Sequence, residues 1–404
     1  MAVRPSSRSA QVHRRLVKTA MALGLLAVIA VVLAILQVGP SFEALRTEHG
    51  DLPALEALTP LPCRQAPSGT GVSFAATADP LALRRLLSLG WYAQLDSTLQ
   101  SYEDALPCSV HAEWNLVEAF QAFRVADTSF SAELDVWVLQ QPDAAIPHLA
   151  RAAYWTERAW RARGGRYVSD TPRSAFGAMV AALKRARGDI DSALAVNPRA
   201  LIAYLLLLEH AQLVGGHAEA QQIAIRGLAA WPYSFNVRRF HMRTMVPRWG
   251  GSYEIMAAYA RKAQEQTTHN PELTVFSGWV AWEDGLAARR QSDTVRAIAR
   301  FNDALAFGAY PPFLRDRAYS LDDAGRFQDA LADVDKALAS WPHYDEALLL
   351  RGQVLTHLSD NADPWNRRPL LIRALADLEQ AARLDPADDD TRDWLNHVTE
   401  QLNR

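Results

Sequence analysis

Two arginines four residues apart, Arg239 and Arg243, and a second pair with the same spacing, Arg315 and Tyr319, are the side chains best placed to do chemistry in this 404-residue chain. Residues so spaced share one face of a helix, so each pair offers its polar groups side by side. A guanidinium is a planar fork of N–H donors that matches a carboxylate, and the chemistry implied is capture of an acidic or carboxylate-ended group. The competing reading is an arginine stripe facing water. There is no Gly-x-Ser-x-Gly elbow, phosphate loop or dinucleotide fingerprint, so no catalytic residue and no cofactor is expected. His210 and His217 are separated by the helix-breaking Gly215-Gly216 pair, and no cysteine or acid completes a zinc set, so no metal is expected either. Asp322-Asp323 and Glu283-Asp284 read as solvated carboxylates of turns and exposed faces. A pocket could instead form among Trp114, Trp137, Trp155, Trp160 and the arginine-rich turn at 161–167, although these aromatics recur at the spacing of a helix core.

Helices must hold these groups, and the most regular are those of Pro311 to Tyr344. Phe313, Leu314, Ala318 and Leu321 fall on one face of a first helix, and Ala330, Leu331, Val334, Ala337 and Leu338 on one face of a second. Gly325 supplies the reversal between them and Pro342 the stop. The unit resembles a tetratricopeptide repeat, a 34-residue helical hairpin: Gly325, Ala330, Ala337 and Pro342 fall at that family's turn glycine, two packing alanines and terminal proline. Residues 198–232 repeat the pattern with Leu207, Leu208, Gly215, Ala220, Gly227 and Leu228, and Trp231-Pro232 echoes Trp341-Pro342. Further helices are expected near 233–245, 252–266, 272–290, 293–307, 346–358 and 370–384. The last pair carries about ten extra residues around Asp360 to Arg368 relative to the repeat length. Residues 388–402 read as a capping helix with Trp394, Leu395 and Val398 inward. Upstream, a hairpin turns at Gly90, three helices occupy 110–165, and a helix from Pro172 is expected to break at Gly188. No strand is expected. The fold class expected is all-α, a right-handed α-solenoid of tetratricopeptide-like hairpins over 196–404 preceded by an irregular helical domain over 80–195. The resemblance implies a concave groove lined by first helices, with Asn236, Arg239 and Arg243 from one repeat and Arg315, Tyr319 and Asp322 from another.

The string Pro247-Arg248-Trp249-Gly250-Gly251-Ser252-Tyr253-Glu254 has a local logic. Pro247 ends a helix, Gly250 and Gly251 allow positive φ, Ser252 caps the next helix and Glu254 suits its positive end. A turn alone does not require Arg248 and Trp249. The string resembles one carried by bacterial proteins with a domain of unknown function, in which it follows an Ala-Trp-x-Ala-Arg-Gly element; here that element is Ala159 to Gly164. The resemblance would cover roughly residues 80–270 and implies kinship without an activity. Gly165-Arg166-Tyr167 departs from the small-residue continuation expected there.

The N-terminus sets the expected address. Arg4, Arg8, Arg14, Arg15 and Lys18 precede an uncharged apolar run, and no acid occurs before Glu43. At about 1.5 Å per residue the run can cross the roughly 30 Å core of a bilayer. Residues 16–38 are therefore expected to be a single transmembrane helix, with 1–15 as a cytoplasmic basic tail and the bulk outside. That corresponds to a Gram-negative inner membrane protein facing the periplasm. A cleaved signal peptide fits less well, because the run is long and ends in Leu36-Gln37-Val38-Gly39-Pro40. Residues 39–79, rich in proline, read as a linker. Once the five basic residues before the run are set aside, 37 Lys and Arg face 45 Asp and Glu, a balance that argues against a nucleic-acid partner. Cys63 and Cys108, the only cysteines, could pair in an oxidising compartment or remain two buried thiols. Together these features predict a membrane-anchored scaffold that binds a protein or peptide partner. An envelope enzyme with its site within 110–190, or a passive spacer, are the alternatives.

Overall fold

The computed structural model describes residues 52–63, 72–125, 127, 130–165 and 170–403. The expected basic tail and transmembrane helix lie outside them; no described helix is long and apolar enough to cross a membrane. Among the described residues there are seventeen α-helices and no strand. They are α1 (Pro80–Ser88), α2 (Tyr92–Ala105), α3 (Ala112–Phe120), α4 (Phe130–Gln140), α5 (Ala145–Arg163) and α6 (Arg173–Val196). The repeats follow as α7 (Leu201–Val214), α8 (His217–Ala230), α9 (Phe235–Thr244), α10 (Tyr253–Gln264), α11 (Trp279–Arg290) and α12 (Thr294–Leu305). The chain ends with α13 (Pro311–Asp323), α14 (Phe327–Ser340), α15 (Asp345–Asp360), α16 (Pro364–Leu384) and α17 (Asp389–Leu402). Sequence-adjacent helices pack as hairpins, α5 on α6, α7 on α8, α11 on α12, α13 on α14 and α15 on α16.

Local chemistry sets the ends of these helices. Asp79 accepts from the amides of Leu81 and Ala82 with Pro80 at the first helical position, Ser234 and Ser252 cap α9 and α10, and Asp363 and Asp388 cap α16 and α17. Gly215 and Gly325 adopt φ of +68° and +70° where α7 and α13 reverse into their partners.

Four expectations need correction. The chain does not break at Gly188: α6 runs 24 residues through it, because Ala186 and Ile190 bury on either side and outweigh the roughly 1 kcal/mol a helical glycine costs. Residues 271–278 form a 3-10 stretch ahead of α11 rather than its first turns, with Asn270 capping and Pro271 starting it. The extra residues at 360–368 make no long loop; they lengthen α15 to 16 and α16 to 21 residues, with Pro369 inside α16. Glu283 is not solvated but buried, with Arg248 and Arg290 at 3.9 and 3.5 Å.

The proline-rich segment is not a free tether throughout. Leu58 is fully buried, and the carbonyls of Pro53 and Thr59 accept from Arg226 and Arg199. Cys63 and Cys108 form a disulfide that fastens this stretch beyond α2. Residues 72–79 run as an extended strap across the inner side of the repeats. The Ala76 amide donates to Ser340 O at 3.0 Å, the Trp341 indole donates to Phe74 O at 2.6 Å, and the Thr77 amide donates to Asn115 at 2.7 Å. Beside the strap, Arg84 of α1 donates to the carbonyls of Arg383 and Leu384 at the end of α16, and Arg161 of α5 pairs with Asp385. The first helices and the last repeats thus touch, and helices of both line one cavity.

The core follows this closure. One cluster runs from Leu58 to Phe240 without a break at residue 195. A second is aromatic: Phe74 of the strap meets Trp114, Phe235 and Tyr310 edge-on at 5.2–5.7 Å, and Trp279 stacks on Phe276 at 4.9 Å. A third holds α13 to α17 and includes Ala318, Leu321, Ala330, Val334 and Leu338 of the regular hairpin, whereas its Phe313 belongs to the aromatic cluster.

Candidate functional site

A cavity of about 860 Å³, open on one side to solvent, lies between α3, α5, α9, α11, α13 and α15. Its position depends on the N-terminus of α9. Glu113, buried on α3, accepts from the Ser234 hydroxyl at 2.6 Å and the Phe235 amide at 2.7 Å, so one carboxylate from the first domain holds the helix that carries Arg239 and Arg243. Burial pushes Glu113 up to about 7 against these hydrogen bonds. The next residue, Trp114, donates its indole N–H to Glu272 at 3.0 Å, and His111 Nδ1 lies 2.6 Å from the same carboxylate. That hydrogen bond raises the His111 pKa more than burial lowers it.

Eight arginines line the cavity, and six of them face carboxylates. Arg124 forks onto Glu209 at 2.8 and 2.9 Å, Arg161 meets Asp385, and Arg315 meets Asp316 and Glu346. Arg248 and Arg290 share Glu283, and Arg289 reaches Asp323 at 3.9 Å. Arg239 and Arg243 are the two without a carboxylate within ion-pair distance. Arg239 donates to the Tyr310 hydroxyl at 3.2 Å and lies 4.5 Å over the Phe240 ring, while its Nε is buried without a partner. Arg243 lies 5.9 Å over Trp160 and 5.5 Å over Phe240, and makes no hydrogen bond among the described residues. Burial lowers Arg243 to about 10; Glu209 pulls the other way, and the like charges of Arg239, Arg248 and Arg124 add to the fall. The indole N–H of Trp279, on the same wall, is also buried without an acceptor.

A second wall is acidic. Glu118 of α3 lines the cavity, about nine-tenths buried, with Oε1 unpartnered. Burial first, and then the like charge of Asp345, push it up to about 8. Asp345, at the start of α15, is raised to about 6 by burial and then by Asp385 and Glu157. Among the described residues neither makes an ion pair, although the charge of Arg315 opposes the rise at Asp345.

Of the six groove residues expected from the sequence, Arg239, Arg243 and Arg315 reach the cavity. Asn236 instead is fully buried at the base of α9, its side-chain nitrogen and oxygen both unpartnered. Tyr319 lies beneath the Arg289 guanidinium at 4.3 Å, and Asp322 accepts from His357 at 2.9 Å; neither reaches the cavity wall. Among the four tryptophans of the alternative pocket, Trp114 and Trp160 line the cavity, whereas Trp137 is core, stacked on Tyr92, and Trp155 lies beneath Arg185.

The Arg248 to Ser252 turn joins the same wall. Pro247–Trp249 is one 3-10 turn, Gly250 has φ of +90°, and Ser252 accepts from the Ile255 amide at 3.3 Å. A Cβ on Gly251 would stand 1.7 Å from the Met245 carbonyl oxygen, so only glycine fits. Trp249 packs edge-on against Trp160 at 6.0 Å with the Arg163 guanidinium 5.1 Å from its ring. The two strings that carry the second resemblance, Ala159 to Gly164 and Pro247 to Glu254, therefore meet in space, and Arg248 of one and Trp160 and Arg161 of the other face the cavity. Glu118 and Asp345 were not legible as site residues. The available signal was a carboxylate on a short helix, α3, whose neighbours Trp114, Leu116, Ala119 and Phe120 are all core.

No curated protein matches this sequence. Solved structures with similar coordinates include the crystal structure of yeast Tom70, at 16% identity and TM-score 0.37, covering 72% of this chain and 53% of that one. The chain therefore spans about half the length of Tom70. The TPR domain of P58(IPK) is matched at 13% identity and TM-score 0.30, over 80% of this chain and 96% of that one. Within the chain, residues 80–219, which supply α3 and α5 to the cavity, match the model of a family described as a domain of unknown function, DUF4034.

Proposed function

We propose that this chain is an envelope scaffold that captures a protein partner by a carboxylate-bearing peptide segment, held in the cavity by Arg239 and Arg243. The observation that carries the reading is the pair of uncompensated guanidiniums on one helix face, in a cavity where every other arginine has a carboxylate. A bound carboxylate would supply the acceptors that Arg239 Nε and the Trp279 indole lack, and the surrounding aromatic rings suit a partly apolar peptide. Residues 16–38 would anchor the scaffold in a Gram-negative inner membrane with the helices in the periplasm. The charge asymmetry of the N-terminus and the Cys63–Cys108 disulfide support that address.

The binding test uses the full-length chain and N-acetylated peptide libraries ending in a free carboxylate or an amide. Retention of the free acids, and its loss in the Arg239→Ala/Arg243→Ala double variant with the helical circular dichroism unchanged, is expected; equal retention of acids and amides sinks the reading. For the address, an alkaline phosphatase fusion after residue 60 should be active, and an inactive fusion beside a fluorescent cytoplasmic reporter refutes the orientation.

One observation favours the enzyme alternative: Glu118 and Asp345 are neighbouring carboxyls whose ionisation is displaced upward in the cavity, an arrangement used for acid–base chemistry. Cleavage of a retained peptide would select that reading over the scaffold. The spacer alternative draws support only from the strap, which fills part of the concave side but leaves the cavity open.

A further inference from the structure

The carboxylate grip uses two of the charged groups that line the cavity, and two others have an unmet requirement of their own. Nine acids line the space. Glu157, Glu209, Asp316, Glu346 and Asp385 are engaged by arginines, Asp388 caps α17, and Asp390 is exposed in the first turn of that helix. Glu118 and Asp345 remain. Among the described residues Asp345 accepts the amide of Glu346 alone, and Glu118 accepts no hydrogen bond. A carboxylate about nine-tenths buried at a cavity wall, with Oε1 making no hydrogen bond among the described residues, is costly whether charged or protonated. Such a group is retained at a net loss unless something arrives to satisfy it.

The charges are also segregated. The like charges acting on Arg243 are those of Arg239, Arg248 and Arg124, set against Glu209, whereas the charge bearing on Glu118 is that of Asp345, on which Arg315 acts while itself paired with Asp316 and Glu346. The cavity therefore has a basic wall on α9 and an acidic corner between α3 and the start of α15. A single anion would fill one end only.

We infer that Glu118 and Asp345 form a second, cation-binding subsite, so that the captured segment is dipolar, its free carboxylate meeting Arg239 and Arg243 and a lysine or arginine side chain meeting Glu118. This rests on the carboxylate-capturing reading above. A cavity of about 860 Å³ is within the range that encloses a ligand of several hundred daltons, enough for the last few residues of a chain. Lysine or arginine suits the acidic corner because a long apolar stem can lie along the tryptophan wall while the charged head reaches the carboxylates.

The experiment passes an N-acetylated hexapeptide library with free carboxylates over immobilised full-length protein and reads the retained sequences by mass spectrometry, with norleucine included at every randomised position as the uncharged counterpart of lysine. Acetylation leaves lysine and arginine as the only strong cations. The expected result is enrichment of Lys or Arg over norleucine by about tenfold at one position, a conservative figure for a buried charge pair. Glu118→Gln should abolish that enrichment while the preference for acid over amide persists, and this retained preference doubles as the control that the variant is folded. Asp345→Asn should weaken the enrichment. Absence of any basic preference, or a preference that survives both substitutions, overturns the inference and leaves the carboxylate reading intact. Equal retention of the amidated library overturns the carboxylate reading, and retention of no peptide at all overturns both.

Discussion

Replacing Glu118 by glutamine should make the protein more stable, and only at high pH. The group has an ordinary value of 4.5 and is raised to about 8 in the fold, chiefly by burial and then by Asp345. Because the folded-state value lies above the unfolded one, the unfolded chain releases this proton first. Stability therefore falls as pH rises from about 4.5, and the loss is complete above about 8. At about 1.4 kcal/mol per pH unit the span corresponds to a loss on the order of 4–5 kcal/mol, an upper figure because a buried carboxylate relaxes toward water when it ionises. Glutamine keeps the shape and does not ionise. Urea unfolding of wild type and Glu118→Gln at pH 4 and pH 9 isolates the effect, since the other raised acids, among them Glu103 and Glu113 near 7 and Asp345 near 6, are present in both proteins. The two should be nearly equal at pH 4, with the variant ahead by a few kcal/mol at pH 9. A difference that is the same at both pH values refutes the argument that Glu118 is buried without compensation.

Arg84→Ala should loosen the closure between the two ends of the chain: three hydrogen bonds to the carbonyls of Ala122, Arg383 and Leu384 disappear, a loss of about 2–3 kcal/mol, seen as faster hydrogen exchange in α16 and α17. Gly285→Ala should cost about 1–3 kcal/mol by overpacking, since its Cβ would stand 2.6 Å from the Phe301 ring, whereas Gly251→Ala should cost more because the obstacle there is the Met245 backbone; thermal melts rank the two. Reduction of the Cys63–Cys108 bond, which closes a loop of 45 residues, should lower stability by about 4 kcal/mol on the chain-entropy model, measured as a fall in Tm with reductant that Cys63→Ser reproduces.

The hairpins were legible because their signals are local. Gly325 and Pro342 set a turn and a stop within one 34-residue unit, and the alanines between them mark the packed face, so α13 and α14 appear where the pattern puts them. Misreadings arose where a local signal was outvoted. Gly188 was overridden by burial on both sides of it, and the residues around Asp360 were taken into helices because Asp363 and Pro364 make a strong start. The cavity was legible only in part. Arg239 and Arg243 announced themselves by spacing, but whether a given arginine is neutralised depends on contacts such as Arg161 with Asp385, 224 residues apart, which no local pattern records. Tyr319 and Asp322 share the register of Arg315, yet lie on the α13 turns beyond the cavity, where α11 and α15 cover them.

The strap of residues 72–79 bears on how this chain can be made. An open array of repeats can fold progressively, each hairpin docking on the one before it. Here Thr77 can reach Asn115 early, but Phe74 receives its hydrogen bond from Trp341, 267 positions later, so the strap's anchor on the last repeats waits until nearly the whole chain exists. At synthesis rates of about 5–20 residues per second the wait is on the order of ten to fifty seconds. Through that interval the aromatic faces of Trp114, Phe235 and Tyr310, which the strap and the later repeats together seal, stand open to other chains. Closure of such a long loop is slow compared with hairpin docking, so the final step of maturation is the joining of the two ends, and a chain truncated before Trp341 would remain in the open form.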